Sequence, residues 1–141
     1  MGKHLILITG SVMNSNPESV EVYNKLISMI EVGDYEITSP LDTIQFVGTP
    51  AERYARSIDI LSNTLVMIAE MSSVSTGQGM EIQQAANLGI PILVIAKENS
   101  KVSGLVQGCP VVKNIVYYSD IELIKEDVNS FIRENTKSNA R

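Results

Sequence analysis

The stretch Ser75-Thr76-Gly77-Gln78-Gly79-Met80-Glu81 brings two glycines, two hydroxyls and one carboxylate within seven residues. An apolar run, 64–69, precedes it. A helix-like run, 82–88, follows, and then a second apolar run, 90–95. The order strand, glycine loop, helix, strand is a βαβ unit. It predicts Glu81 in the first turn of a helix from about Gly79 to Leu88, just past the end of a buried strand. Open α/β sheets bind ligands at that edge. A helix N-terminus favours an ionised carboxylate, so Glu81 is expected to stay deprotonated at neutral pH. Backbone N–H groups around Gly77 and Gly79 suit a phosphate without any basic side chain. The pattern indicates a small-molecule site but does not name a reaction. Glu81 can equally be an acid that complements the dipole, and Ser75 and Thr76 can be a plain N-cap.

The elements around this loop alternate regularly. Leu5 to Thr9 reads as a strand buried on both faces, ended by Gly10-Ser11. Asn16-Pro17 is a cap followed by proline at the first helical position. Val20, Tyr23, Leu26, Ile27 and Ile30 then recur at helical spacing up to Gly33. A short strand is expected over 34–38 and a long loop over about 39–49, punctuated by Pro40 and Gly48. Pro50 opens a helix with Tyr54, Ile58 and Leu61 on one face. Strands follow over 64–69, 92–96 and about 114–118. Gly89 closes the helix between the first two of these. A short helical piece lies near 102–107. Ser119 or Asp120 caps a last helix that buries Ile121, Ile124, Val128 and Phe131.

Five strands alternating with helices imply an α/β fold: a flavodoxin-like three-layer sandwich around a five-stranded parallel sheet of order 2-1-3-4-5. Strands one and three are then neighbours whose connections leave to opposite faces, and the ligand crevice opens between their C-terminal ends. The loops bounding it are Gly10-Ser11 and 70–79. One domain is expected over residues 1–135, with a polar tail at 136–141.

Composition narrows the partners. The chain has 141 residues, 44% hydrophobic and 19% charged, with a net charge of -5. That acidity argues against a nucleic-acid polymer, which demands clustered Lys and Arg. No apolar run reaches the roughly 18 residues of a membrane helix. The single cysteine, Cys109, cannot form an internal disulfide and fits a reducing cytoplasm. Without a Cys/His cluster no metal site is expected, and no cofactor is implied.

Gly10-Ser11, Ala69-Glu70, Ser75-x-Gly77-x-Gly79-x-Glu81, Gly89-Ile90-Pro91 and Ser103-Gly-Leu-Val-Gln-Gly108 together resemble the nucleoside 2-deoxyribosyltransferase superfamily. The similarity is greatest to its 2'-deoxynucleoside 5'-phosphate N-hydrolase branch and spans roughly residues 5–132. The resemblance implies cleavage of an N-glycosidic bond in a small-molecule nucleoside or nucleotide. Glu81 matches the nucleophile that forms a glycosyl-enzyme ester. Ser75 matches a contact to the sugar or its 5'-phosphate, and Gly10 and Ser11 match the loop along the nucleotide. Ser103 matches a phosphate-contacting serine donated by a neighbouring subunit, which implies a homodimer. Carboxylate nucleophiles suit this chemistry because its transition state resembles an oxocarbenium ion.

The chain departs from that pattern at three positions. Ser57 stands where relatives carry the aspartate that handles the proton of the departing base. Asp59, two residues on, is the substitute candidate, although two residues turn a helical side chain by about 200°. Leu7 replaces a first-strand tyrosine, and Met13 replaces an arginine after the Gly-Ser pair. Arg53 and Lys101 are candidates for the missing positive charge. Ser57 itself becomes a candidate substrate contact. Tyr23 and Tyr54 read as core or rim aromatics, Phe46 as lid or anchor, and Glu70 as a carboxylate orienting its loop. Base exchange by a deoxyribosyltransferase and non-catalytic nucleotide binding on the same fold remain rival readings.

Overall fold

The computed structural model describes residues 3–11, 17–31, 33–73 and 75–137. Five strands, β1 (Leu5–Thr9), β2 (Glu36–Thr38), β3 (Thr64–Glu70), β4 (Ile92–Lys97) and β5 (Val112–Tyr118), form one sheet. It is parallel throughout, in the order β2-β1-β3-β4-β5. The expected flavodoxin-like topology is therefore the observed one.

Strand period sorts the core into two layers. Ile6, Ile8, Val66, Ile68, Leu93 and Ile95 point to one face. There they meet Tyr23 and Leu26 of α1 (Pro17–Met29), then Ile121 and Ile124 of a 3-10 turn (Ile121–Ile124), and finally Val128 and Phe131 of α6 (Lys125–Thr136). Leu7, Met67, Ala69, Val94 and Ala96 point to the other face. They meet Leu61 of α3 (Pro50–Ser62), Ile82 and Ala85 of α4 (Thr76–Asn87) and Val106 of α5 (Gly104–Gln107). Both faces of β1, β3 and β4 are covered, which explains their uninterrupted apolar runs.

Several boundaries differ from the expectation. The supposed loop over 39–49 contains a helix, α2 (Pro40–Gln45), started by a capping box between Ser39 and Asp42. A matching box between Thr49 and Glu52 starts α3. Helix α4 begins at Thr76, with Ser75 as its N-cap, so Gly77 and Gly79 lie inside the helix. Its C-terminus is a Schellman turn. Gly89 takes φ +70°, and the Ile90 N–H reaches the Ala85 carbonyl at 2.9 Å. Helix α6 includes Thr136, which is buried. The expected Asn16 cap and the Met13 position lie outside the described residues.

Candidate active site

A cavity of about 540 Å³ opens at the C-terminal ends of β1 and β2 and is walled by α2, α3 and α4. It lies on the β1 side of the switch point, where the strand order predicts a crevice. Glu81 enters it from α4. As the sixth residue of that helix Glu81 sits in the second turn, not the first. Gly77, Glu81 and Gln84 recur at four- and three-residue spacing along the wall, while Ile82 and Ala85 turn into the core.

The Glu81 carboxylate is held from two directions. The Thr9 hydroxyl, at the end of β1, donates to Oε1 at 2.7 Å. The Ser57 hydroxyl, from α3, also hydrogen-bonds the carboxylate, and the Arg56 charge lies within electrostatic reach. Burial outweighs these contacts and pushes the Glu81 carboxyl above its ordinary value. The expectation of a dipole-stabilised anion is corrected on this point. Glu81 lies too far along α4 for the dipole to dominate, and desolvation raises its proton affinity.

Opposite Glu81 stands a wall of rings and guanidinium groups. Arg53 and Arg56 lie 5.7 and 5.1 Å from the Phe46 ring centroid. Arg53 Nη2 donates to the Phe46 carbonyl at 3.0 Å, and Arg56 Nη1 to Thr43 Oγ1 at 3.2 Å. The two arginines thus tie α2 and the segment after it to α3. Among the described residues the lining holds four titratable side chains: Glu81, Arg53, Arg56 and Tyr54.

Of the residues singled out from sequence, Gly10, Ser57, Ser75, Gly77 and Glu81 line this cavity. Gly79 does not, and its N–H is spent on the Ser75 carbonyl at 3.2 Å, inside the helix. Asp59 is exposed on α3, and its carboxylate is not part of the lining. The helical offset from Ser57 turns it away. Lys101 is likewise exposed and outside the lining, whereas Arg53 is within it. Ser103 caps α5, away from the cavity of its own subunit.

Ser11 faces a separate small polar pocket with Tyr23, Glu70, Ser72 and Tyr118. There the Glu70 carboxylate accepts from the Ser72 N–H and Oγ at 2.8 Å each, and from the Tyr118 hydroxyl. Tyr23, donating to the Ser11 carbonyl at 2.9 Å, is pushed up to about 12 by burial, then by the Glu70 charge. This network ties Ser11 to Tyr23 and Ser72 to Tyr118 through Glu70.

Sequence reasoning missed three side chains. Thr9 was read only as the end of a strand. Arg56 was overlooked beside Ser57. Gln78 is 1% exposed, and its Nε2 bridges the Thr9 and Glu70 carbonyls at 3.2 and 2.9 Å, lacing the ends of β1 and β3 together. A polar residue at N3 of a glycine-rich helix start was the available signal for Gln78.

A doubly wound parallel sheet with one carboxylate at its switch-point cavity defines an α/β class that binds small molecules at that edge. The comparisons make it specific. A Methanosarcina mazei protein provisionally named 2'-deoxynucleoside 5'-phosphate N-hydrolase 1 is 31% identical over 139 residues, covering 94% of this chain and 86% of its own. Its counterpart from Methanosarcina barkeri is 28% identical over 134 residues, covering 90% and 84%. The fold is shared with a Clostridium botulinum CMP N-glycosidase (TM-score 0.69, 17% identity, 89% of this chain and 98% of that one). It is also shared with a Leishmania mexicana 2-deoxyribosyltransferase (TM-score 0.55, 21% identity, 66% and 64%). No family model matches the chain. The chain belongs to the 2'-deoxynucleoside 5'-phosphate N-hydrolase family. It is accordingly an enzyme of the N-glycosidase class.

Proposed function

We propose that the protein hydrolyses the N-glycosidic bond of a nucleoside or deoxynucleoside 5'-monophosphate, releasing free base and sugar phosphate. The observation that carries this reading is Glu81, the sole carboxylate in the cavity lining among the described residues, held by the Thr9 hydroxyl at 2.7 Å. Two hydroxyls fix the carboxylate in one rotamer facing the space a sugar would fill. Orientation of this kind turns a weak nucleophile into an effective one. Glu81 attacks C1', the bond to the base breaks, and a glycosyl ester forms. Water then attacks C1' and frees the carboxylate.

The two ends of the cavity suit the two ends of a nucleotide. Gly10, Ser75 and Gly77 form a polar end with backbone N–H groups at the start of α4, suited to the 5'-phosphate. Phe46, Tyr54 and the arginines form the other end, suited to a flat base. The family name of the relatives agrees with a phosphorylated substrate. The reading also takes the enzyme as a cytoplasmic homodimer in which Ser103 approaches the partner's phosphate end. The adjoining Leu105 is 89% exposed, which suits a subunit contact. Light scattering of the active protein tests that arrangement, and a fully active monomer would remove it.

The experiment for the reaction is incubation with a panel of nucleosides and 5'-monophosphates, followed by chromatography for free base. Glu81→Ala should abolish release by several orders of magnitude while the protein stays folded. Exposure of Asp59 favours one competing reading, a nucleotide binder without a proton donor. Binding without base release by the wild type would select it. Transfer to an added second base would select the exchange reaction.

A further inference from the structure

Among the described residues the cavity lining contains no carboxylic acid besides Glu81 itself, and Glu81 is needed as the nucleophile. Ser57 lines the cavity beside Glu81, but its side chain is a hydroxyl, not an acid, and it is engaged with the Glu81 carboxylate. Yet a base leaving as a free anion in water is a poor leaving group. Something in this site must take up the developing charge.

We propose, resting on the hydrolase reading above, that Arg56 stabilises the departing base as an anion through its guanidinium N–H groups. The site then takes nucleotides whose base carries a carbonyl oxygen beside the glycosidic nitrogen, the pyrimidines. Arg56 lines the same cavity as Glu81, and its charge acts on that carboxylate, so it lies near the reacting centre. Thr43 takes one of its five N–H donors, and the Phe46 ring covers the guanidinium at 5.1 Å. A group pinned at two points in a partly enclosed cavity is preorganised for charge that appears only in the transition state. Arginine does not give up its proton at any working pH, so its contribution is electrostatic.

The step balances as follows. A Glu81 oxygen forms a bond to C1' as the C1'–N bond breaks, and that electron pair stays on the base. In a pyrimidine the pair delocalises onto the carbonyl oxygen next to the ring nitrogen, within reach of a donor beside the scissile bond. In the second step water attacks C1', the Glu81 carboxylate departs, and the water proton goes to the base anion. The sum is nucleotide plus water giving base plus sugar phosphate. A purine is relieved chiefly by protonation at N7, remote from the glycosidic bond, and among the described residues the lining holds no second carboxylic acid for that step.

The test combines leaving-group dependence with a pH profile. Pyrimidine 5'-monophosphates of graded base acidity, from uracil to 5-nitrouracil, are compared on wild type, Arg56→Gln and Arg56→Lys, with a purine monophosphate alongside. Arg56→Gln should lower kcat about 10²- to 10³-fold on the uracil substrate, the usual effect of one charge-stabilising donor. On the nitrouracil substrate it should lose about tenfold or less. Arg56→Lys should fall between, because it keeps the charge and loses the fork. Thr43→Val removes one anchor but leaves the guanidinium, so its losses should be smaller than those of Arg56→Gln and follow the same leaving-group order.

The groups facing Glu81 that carry charge or titrate are Arg53, Tyr54 and Arg56, all from α3, while β1, β2 and α2 present Thr9, Thr38 and Thr43. The wild-type kcat/KM should therefore rise as Glu81 ionises and then stay level to about pH 9, because the guanidinium keeps its charge. Equal losses on both pyrimidines in folded Arg56→Gln would overturn the proposal. So would a descending limb below pH 9 that disappears in Tyr54→Phe, which would make Tyr54 the proton donor, or faster purine than pyrimidine cleavage. Those outcomes leave the hydrolase reading standing. Failure of the wild type to release base from any substrate would remove that reading and this proposal together.

Discussion

Gly77 and Gly79 form a matched pair that separates a binding role from a folding role. Both lie inside α4, and a Cβ built on either meets nothing within 4 Å. Neither takes a positive φ, so alanine is allowed at both positions. Glycine inside a helix costs roughly 0.5–1 kcal/mol relative to alanine, through backbone entropy. Unfolding of a 141-residue chain carries an entropy of about 0.3 kcal/mol/K at the midpoint. Each Gly→Ala change should thus raise Tm by about 2–3 °C. The functional consequences should differ. Gly77 lines the cavity at the end assigned to the phosphate, and Gly79 does not. A methyl on Gly77 would occupy open space that a phosphate needs, so KM for a 5'-monophosphate should rise tenfold or more. KM for the corresponding nucleoside should change little. Gly79→Ala should be more stable and kinetically unchanged. Differential scanning calorimetry and steady-state kinetics on both substrates read the two effects. If Gly77→Ala binds monophosphate as the wild type does, the phosphate does not dock at the start of α4. If Gly79→Ala alone raises KM, the bound substrate reaches the opposite side of that helix.

Two further outcomes follow from the Glu81 environment. Thr9→Val removes a hydrogen bond to a partly buried carboxylate, worth about 1.5 kcal/mol, so the ionised fraction below the plateau should fall about tenfold. The acid limb of kcat/KM should move to higher pH, and superposable wild-type and Thr9→Val limbs would remove Thr9 from the site. Burial raises the folded-state proton affinity of Glu81 above its unfolded value, so its contribution to stability is present in acid and declines as pH rises past the ordinary carboxylate range. Glu81→Gln should therefore be inactive yet more stable than wild type at neutral pH, with the difference vanishing in acid. Urea denaturation at several pH values checks the sign.

The fold was legible because its main signals are long-range averages. β1, β3 and β4 are apolar on both faces, and glycine and proline separate them from helices of ordinary length. α2 was not legible because six residues give too little periodicity, and Pro40, Gly48 and Pro50 read as loop punctuation. The informative detail was local: Ser39-Pro40 with Asp42 three residues after the serine is a capping box with proline at N1. The start of α4 was misplaced by a related ambiguity. Two glycines in four residues suggest a loop, yet the Ser75 cap had already begun the helix. That error set Glu81 one turn too early and reversed the sign of its expected pKa shift.

The site was legible only where one residue carried the chemistry. Glu81 stood out as a carboxylate in a glycine-rich βαβ loop. Its supports did not, because Thr9, Ser57 and Arg56 come from β1 and α3, up to 72 residues away in the chain. No spacing rule links them, since contact between α3 and α4 exists only once both helices pack on the same face of the sheet. The same packing decides between Ser57 and Asp59. The two-residue offset on a helix already set Asp59 apart from Ser57, and the structure sends Ser57 to the carboxylate and leaves Asp59 exposed. With an unpaired acid excluded from the cavity, the chemistry must be asked of the groups that remain, and those are guanidinium groups. A family motif read by position reports a missing proton donor. The packed site places Arg53 and Arg56 in the same cavity lining as Glu81, and the second of them is the group proposed to stabilise the departing base.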